Sequence, residues 1–269
     1  MNEERPMPVY NTICDTYDNI MVVQKPAERL VVNAKLAPGQ RVLDVACGSG
    51  WATIAAARAV GDAGRVIGID IADKLLDVAR EKTLSLGLSN VEYRIGDAES
   101  LEFDDVSFDA VICASSIFIL RNIPKALGEW YRVLKAGGRI AFSSFGVGFF
   151  QPVHRLFGEC LARYIGPDEN LVHHALQKAD TSDKCRELLQ NFAFDNVDIT
   201  TEQLGFYFTD TNAYWEEMDS GITGLFLARL SPVDLEKFKS EHLAEIESLR
   251  TERGIWIDMP AIFSVAVKH

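Results

Sequence analysis

The residues best able to do chemistry begin at Val42-Leu43-Asp44-Val45-Ala46-Cys47-Gly48-Ser49-Gly50. An apolar run ends there in a glycine-containing turn that opens an alanine-rich helical stretch. Glycine has no Cβ, so such a turn lets the backbone approach a bulky ligand. A dinucleotide fingerprint would continue as G-x-G-x-x-G, yet the third glycine position after Gly48 and Gly50 is Thr53. That glycine normally permits close helix–strand packing beside a pyrophosphate, so its absence points to a nucleoside ligand without phosphates. Taken alone, the motif also suits an ordinary strand-to-helix turn.

Two acids follow at informative positions. Asp70 ends the run Val66-Ile67-Gly68-Ile69-Asp70-Ile71, about 20 residues past the turn, where an acid can accept from both ribose hydroxyls. Ionised acceptors make such bonds shorter and stronger. Capping the next helix is the plainer role for Asp70. Asp97, in Gly96-Asp97-Ala98-Glu99-Ser100, is placed to accept from an adenine amino group. A solvated acidic loop is its alternative, and is the reading for Glu102, Asp104 and Asp105.

These residues need a scaffold, and the surrounding pattern supplies one. Strands are expected at Arg41–Ala46, Arg65–Asp70, Val91–Ile95, Phe108–Ala114 and Arg139–Phe145. Helices fall between them at Trp51–Val60, Lys74–Leu86 and Pro124–Leu134. Such alternation with short connections predicts a parallel sheet covered on both faces, with ligands beyond the strand C-termini. Before this core, Tyr10–Ala34 reads as mostly helical. After it come a helical, aromatic-rich Phe149–Gln190, a sixth strand at Phe192–Thr200, and helices at Thr209–Leu230 and Leu235–Thr251. An apolar strand at Ala261–Val267 closes the chain.

Composition narrows the partners. The 269 residues are 48% hydrophobic, ample for a core, and no run approaches a membrane span. The N-terminus lacks a signal-peptide pattern, so a cytoplasmic enzyme is expected. A formal charge of −12 argues against a phosphate-backbone partner, and no nucleic acid is expected. Cys14, Cys47, Cys113, Cys160 and Cys185 are scattered without C-x-x-C or zinc-finger spacing. Neither a disulfide framework nor a metal site is expected; Cys47 and Cys113 read as packed thiols.

In order and spacing these motifs resemble the class I S-adenosylmethionine (SAM)-dependent methyltransferases. The likeness is greatest to the branch holding the ubiquinone/menaquinone C-methyltransferases and many small-molecule methyltransferases. It spans roughly Tyr10 to Phe145 and includes Tyr131-Arg132-Val133-Leu134-Lys135-Ala136-Gly137-Gly138-Arg139-Ile140, similar to the family's turn into strand five. The resemblance implies a doubly wound α/β fold with a seven-stranded, mostly parallel sheet. Helical lid insertions would follow strand five and lie between strands six and seven. One domain is implied: an N-terminal helical cover (1–36), a SAM-binding core (37–145), lid helices with strand six (146–260) and a last strand (261–269).

The resemblance also assigns residues. Asp44, Ala46, Cys47, Gly48, Ser49 and Gly50 would hold SAM, together with Asp70, Ile71, Asp97, Ala98, Glu99, Ala114 and Ser115. The product would be S-adenosylhomocysteine. Two departures stand out: Ala46 replaces the first glycine of the family's turn, and Phe118-Ile119-Leu120-Arg121-Asn122 replaces a His-His pair common after strand four. The Leu-Arg-Asn run is similar to the quinone branch. In that branch a tyrosine, the acid after strand three and an Arg-Asn pair surround the transferred methyl, which implies Tyr17, Asp97, Arg121 and Asn122 here.

Proton removal at neutral pH would fall to His154, His173 or His174. Arg121 stays protonated, so it could stabilise an anionic acceptor or, equally, be a surface arginine beside the helix start. Tyr10 and Tyr17 could close over the sulfonium, although N-terminal packing explains them equally well. An amine acceptor would need only a lone pair, so C-, O- and N-methylation all stand open. Aromatic residues from Phe145 to Trp215 imply an apolar or aromatic small-molecule acceptor. The competing readings are a non-catalytic SAM-binding protein and a nicotinamide-dependent oxidoreductase. A homodimer is the assembly left open.

Overall fold

In the computed structural model, which describes residues 9–166 and 173–269, the sheet forms where the sequence carries continuous apolar runs. Short 3-10 turns at Val9–Asn11 and Tyr17–Asn19 precede helix α1 (Met21–Ala34). The core alternates β1 (Arg41–Val45), α2 (Trp51–Val60), β2 (Arg65–Asp70), α3 (Asp73–Ser85), β3 (Val91–Ile95), β4 (Phe108–Cys113), α4 (Ile123–Val133) and β5 (Leu134–Phe145). The remainder is α5 (Val153–Ile165), α6 (His173–Leu176), α7 (Ser182–Gln190), β6 (Phe194–Gln203), β7 (Phe206–Phe208), α8 (Thr211–Ser220), α9 (Ile222–Leu227), α10 (Pro232–Glu247), β8 (Ile255–Ile257) and β9 (Pro260–Lys268).

Seven strands build the main sheet in the order β3-β2-β1-β4-β5-β9-β6. Strands β1 to β5 pair in parallel, and β9 runs antiparallel between β5 and β6. Val42, Leu43 and Val45 are fully buried because helices cover both faces, the condition under which a strand loses polar alternation. The order reverses direction between β1 and β4, creating a crevice beyond their C-terminal ends.

Local chemistry sets the helix starts. The Asn122 side chain accepts from the Lys125 amide at 3.0 Å, with Pro124 in the first turn of α4. Ser231 and Pro232 open α10 in the same way. Trp130 on α4 is fully buried and donates its indole N–H to the Ala98 carbonyl at 2.8 Å, tying that helix to the loop after β3.

Several expected boundaries move. Residues 10–34 do not form one helical stretch, since a pair of 3-10 turns precedes α1. Strand β5 starts at Leu134, five residues before Arg139, because Leu134 pairs with Phe108 ahead of an irregularity around Gly137 and Gly138. The helix expected over Thr209–Leu230 breaks at Gly221, whose extended backbone separates α8 from α9. Phe149–Gln190 divides into α5, α6 and α7, and residues 167–172 lie outside the described residues. The small β7–β8 sheet, pairing Phe206–Phe208 with Ile255–Ile257, had no local signal.

Candidate active site

The turn after β1 is built by backbone bonds and one carboxylate. The Cys47 amide donates to the Ile69 carbonyl at 3.0 Å, and the Gly50 amide to the Cys47 carbonyl at 2.9 Å. Asp70 accepts from the Gly48 amide at 2.8 Å and from the Ala72 amide at 2.8 Å. It therefore joins the glycine turn to the end of β2, and burial pushes its carboxyl upward against these bonds. At Gly50, with φ +86°, a Cβ would crowd the Tyr93 hydroxyl and the Ala79 side chain, so a substitution there is strained. Ala46 also has a left-handed φ of 53°, a conformation that costs a non-glycine residue roughly 1–2 kcal/mol.

Thr53 has a positive role beyond being a missing glycine. Its hydroxyl donates to Oδ2 of fully buried Asp44 at 2.6 Å, while Oδ1 of Asp44 has no hydrogen-bond partner. Burial raises the Asp44 carboxyl to about 7, against the lowering effect of the Thr53 bond. The turn thus sits over a carboxylate that would gain from a nearby positive charge. Burial pushes Cys47 and Cys113 well up and keeps both as thiols; Cys113 is packed in the core, whereas Cys47 is half-buried.

The loop after β3 is equally ordered. Asp97 accepts from the Glu99 amide at 2.9 Å, and Glu99 accepts from the Arg121 amide at 2.7 Å and the Asn122 amide at 3.2 Å. Beyond β4, the Ser115 amide donates to the Ser143 hydroxyl at 2.9 Å. Of the expected cofactor residues, Ala46, Cys47, Ala114 and Ser115 line a pocket at the strand ends, Asp44 is fully buried beneath the turn, and Ile71 is left 48% exposed beside Asp70.

The pocket is open to solvent and adjoins the crevice. Ala46, Cys47, Ala114, Ser115 and Ser116 form the side toward the sheet, and Phe118, Phe145, Phe149 and Phe150 line it with rings. Phe145 and Phe149 stack at 4.0 Å, and His154 stacks on Phe150 at 4.9 Å. Phe150 has φ +56°, rare for a bulky side chain and of the kind found where a site fixes its geometry. Tyr10 and Tyr17 meet edge to face at 6.0 Å on the N-terminal side. Burial pushes the Tyr10 phenol up to about 12 and raises Tyr17 further, so both remain hydroxyl donors at neutral pH.

Of the four expected catalytic residues, Tyr17 and His154 line this cavity. Arg121 and Asn122 do not. Both are exposed at the start of α4, where Asn122 is occupied as the helix cap. The side chains of His173 and His174 lie outside the described residues.

Two positions at the site escaped the sequence reading. Glu217 lines the cavity at 8% exposure. Its helical phase with Tyr214, Met218 and Gly221 was the available signal. Asp18 accepts from the Ser49 hydroxyl, from the Trp51 indole at 3.0 Å and from Lys82 at 2.6 Å. It thereby fastens the N-terminal turns over the glycine turn; nothing local distinguishes it from other surface acids.

Comparison with known proteins agrees with this geometry. Residues 42–138 match a family model described as a methyltransferase domain. The demethylmenaquinone methyltransferase of Staphylococcus carnosus is 34% identical over 217 residues, covering 73% of this chain and 88% of that protein. The ubiquinone/menaquinone biosynthesis C-methyltransferase of Cronobacter sakazakii is 34% identical over 174 residues, 59% of this chain and 68% of its own. Among solved structures, the YcgJ protein of Bacillus subtilis aligns with a TM-score of 0.61 at 20% identity, over 91% of this chain and 98% of that one. A phosphoethanolamine N-methyltransferase of Haemonchus contortus, solved with S-adenosylhomocysteine, aligns at 0.59 and 20% identity over 96% of this chain and 57% of that one. These two share the fold. With the sheet order, the glycine turn and this identity together, the chain belongs to the class I SAM-dependent methyltransferases, enzymes that methylate a small molecule.

Proposed function

We propose that SAM lies across the C-terminal ends of β1 to β4 and that the adjoining cavity takes an apolar, ring-bearing acceptor such as a phenol or quinol. The observation that carries this reading is the wall of Phe118, Phe145, Phe149 and Phe150 opening directly onto Ala46, Cys47 and Ala114–Ser116. Asp70 would take the ribose hydroxyls, Ile71 would lie under the adenine and Asp97 would accept from its amino group. The unsatisfied Oδ1 of Asp44 fits a ligand bearing positive charge above the turn. Bound there, SAM supplies an electrophilic methyl on a sulfonium whose thioether departs neutral.

The chain's own residues position and protect. The phenylalanine wall buries the acceptor ring and excludes water; orientation of this kind supplies up to roughly 7–11 kcal/mol. Tyr17, held protonated by burial, offers a hydroxyl on the cofactor side. His154 is placed to take a phenolic proton from the acceptor. Five free cysteines suit a reducing cytoplasm.

Relatives named for demethylmenaquinone and ubiquinone/menaquinone methylation make a quinol the first acceptor to try. The test is transfer of labelled methyl from SAM to quinols, phenols, amines and a metabolite extract, with the product's mass spectrum assigning the methylated atom. For a phenolic or quinol acceptor, His154→Ala should lower kcat roughly 10²–10⁴-fold and leave SAM affinity unchanged. SAM binding with no transfer to any acceptor would instead mark a non-catalytic binder, and tight NAD binding without SAM binding would overturn the cofactor assignment.

A further inference from the structure

Away from the cavity, the lid holds a second cluster of reactive side chains. Helices α5 and α10 pack through Phe157 and Phe238, whose rings meet edge to face at 5.4 Å. Beside them, donor atoms of Cys160, His242 and Glu245 all lie within 4.8 Å of one another, the one such group among the described residues. Cys160 and His242 are fully buried.

The hydrogen bonding in this cluster is incomplete in a particular way. His242 Nε2 meets the Tyr214 hydroxyl at 2.7 Å. His242 Nδ1 and Glu245 Oε2 are both buried and have no hydrogen-bond partner, although they face each other at 3.6 Å. That separation is too long for a hydrogen bond. It is close to the gap of about 3.4 Å between nitrogen and oxygen ligands on a tetrahedral zinc, given metal–ligand bonds near 2.0–2.2 Å. Two unsatisfied buried atoms cost free energy that a shared cation would recover.

We propose that Cys160, His242 and Glu245 form a zinc-binding clip joining α5 to α10, with water as the fourth ligand. One thiolate and one carboxylate neutralise Zn²⁺, and a Cys-His-carboxylate donor set suits this borderline cation. The outer hydrogen bonds are already in place. With its proton on Nε2, His242 would donate to the Tyr214 hydroxyl 2.7 Å away and keep the Nδ1 lone pair for the metal, while Arg163 donates to the other oxygen of Glu245, Oε1, at 3.0 Å. Burial raises the Cys160 thiol and Arg163 beside it acts in the opposite direction, while Glu241, 3.7 Å from Arg163, offsets the guanidinium charge. The side chain of Glu245 is one-third exposed and provides the entry path.

The full-length protein, stripped with chelator, is titrated with Co²⁺ and then Zn²⁺. One Co²⁺ per chain should bind, giving a near-ultraviolet thiolate-to-cobalt band that Zn²⁺ abolishes and a raised melting temperature with Zn²⁺. Cys160→Ser should remove the band. Glu245→Gln, at a partly exposed position, should weaken zinc binding by more than tenfold, and Tyr214→Phe by about tenfold. Circular dichroism and SAM affinity on the same samples separate loss of metal from loss of fold. Absence of the band in the native protein, or its survival in Cys160→Ser, overturns the assignment.

Discussion

At the scale of single residues, the glycine turn depends on two that are not glycines. Ala46 occupies left-handed backbone space at an estimated strain of roughly 1–2 kcal/mol. Ala46→Gly relieves that strain but adds about 0.4–1 kcal/mol of unfolded-state entropy. Chemical denaturation should therefore show a net gain of about 0.5–1 kcal/mol, and Ala46→Val, β-branched at the same φ, a clear loss. Asp44 gives a pH signature. Its folded-state carboxyl is raised by burial to about 7, above the unfolded value, so its ionisation removes stability as pH rises through that range. A cationic ligand above the turn should lower it again. Calorimetry of SAM binding near pH 7, in buffers of different ionisation enthalpy, should detect proton release in the native protein and none in Asp44→Asn.

At the scale of elements, the N-terminal turns act as one strap. Asp18 bonds to Ser49, Trp51 and Lys82, while Asn11 donates to Asp73 at 2.7 Å and accepts from the Lys74 amide at 3.3 Å. The strap thus spans the turn and the start of α3, laying Tyr10 and Tyr17 over the crevice. Asp18→Ala removes a charged hub whose bonds are each worth on the order of 1–3 kcal/mol. SAM affinity should fall about tenfold or more, and amide exchange over residues 9–20 should quicken while β1 stays protected. Unchanged exchange in those residues would show that the strap is held by packing instead.

At the scale of the molecule, the lid is a helical layer whose contacts tie it to the sheet and to itself. Phe157 and Phe238 are fully buried between α5 and α10. Phe238→Ala should cost about 3–5 kcal/mol, read as a lowered denaturation midpoint. Because α5 also carries His154, the same variant should raise the apparent KM for acceptor more than the Kd for SAM. No described helix is long and apolar enough to cross a membrane.

The sequence alone determined the central sheet, the glycine turn and the acids at the ends of β2 and β3. Those depend on runs of buried apolar residues and on turn chemistry, both of which are local and periodic. The family resemblance rested on the same local features. Tertiary structure decided what lay between distant segments. It closed β7 onto β8 across three intervening helices, turned Glu217 into the cavity and left Arg121 outside it. It also joined Cys160 on α5 to the His242-x-x-Glu245 pair on α10. Such pairings depend on which helix faces pack together in three dimensions, and a one-dimensional pattern carries no record of that choice.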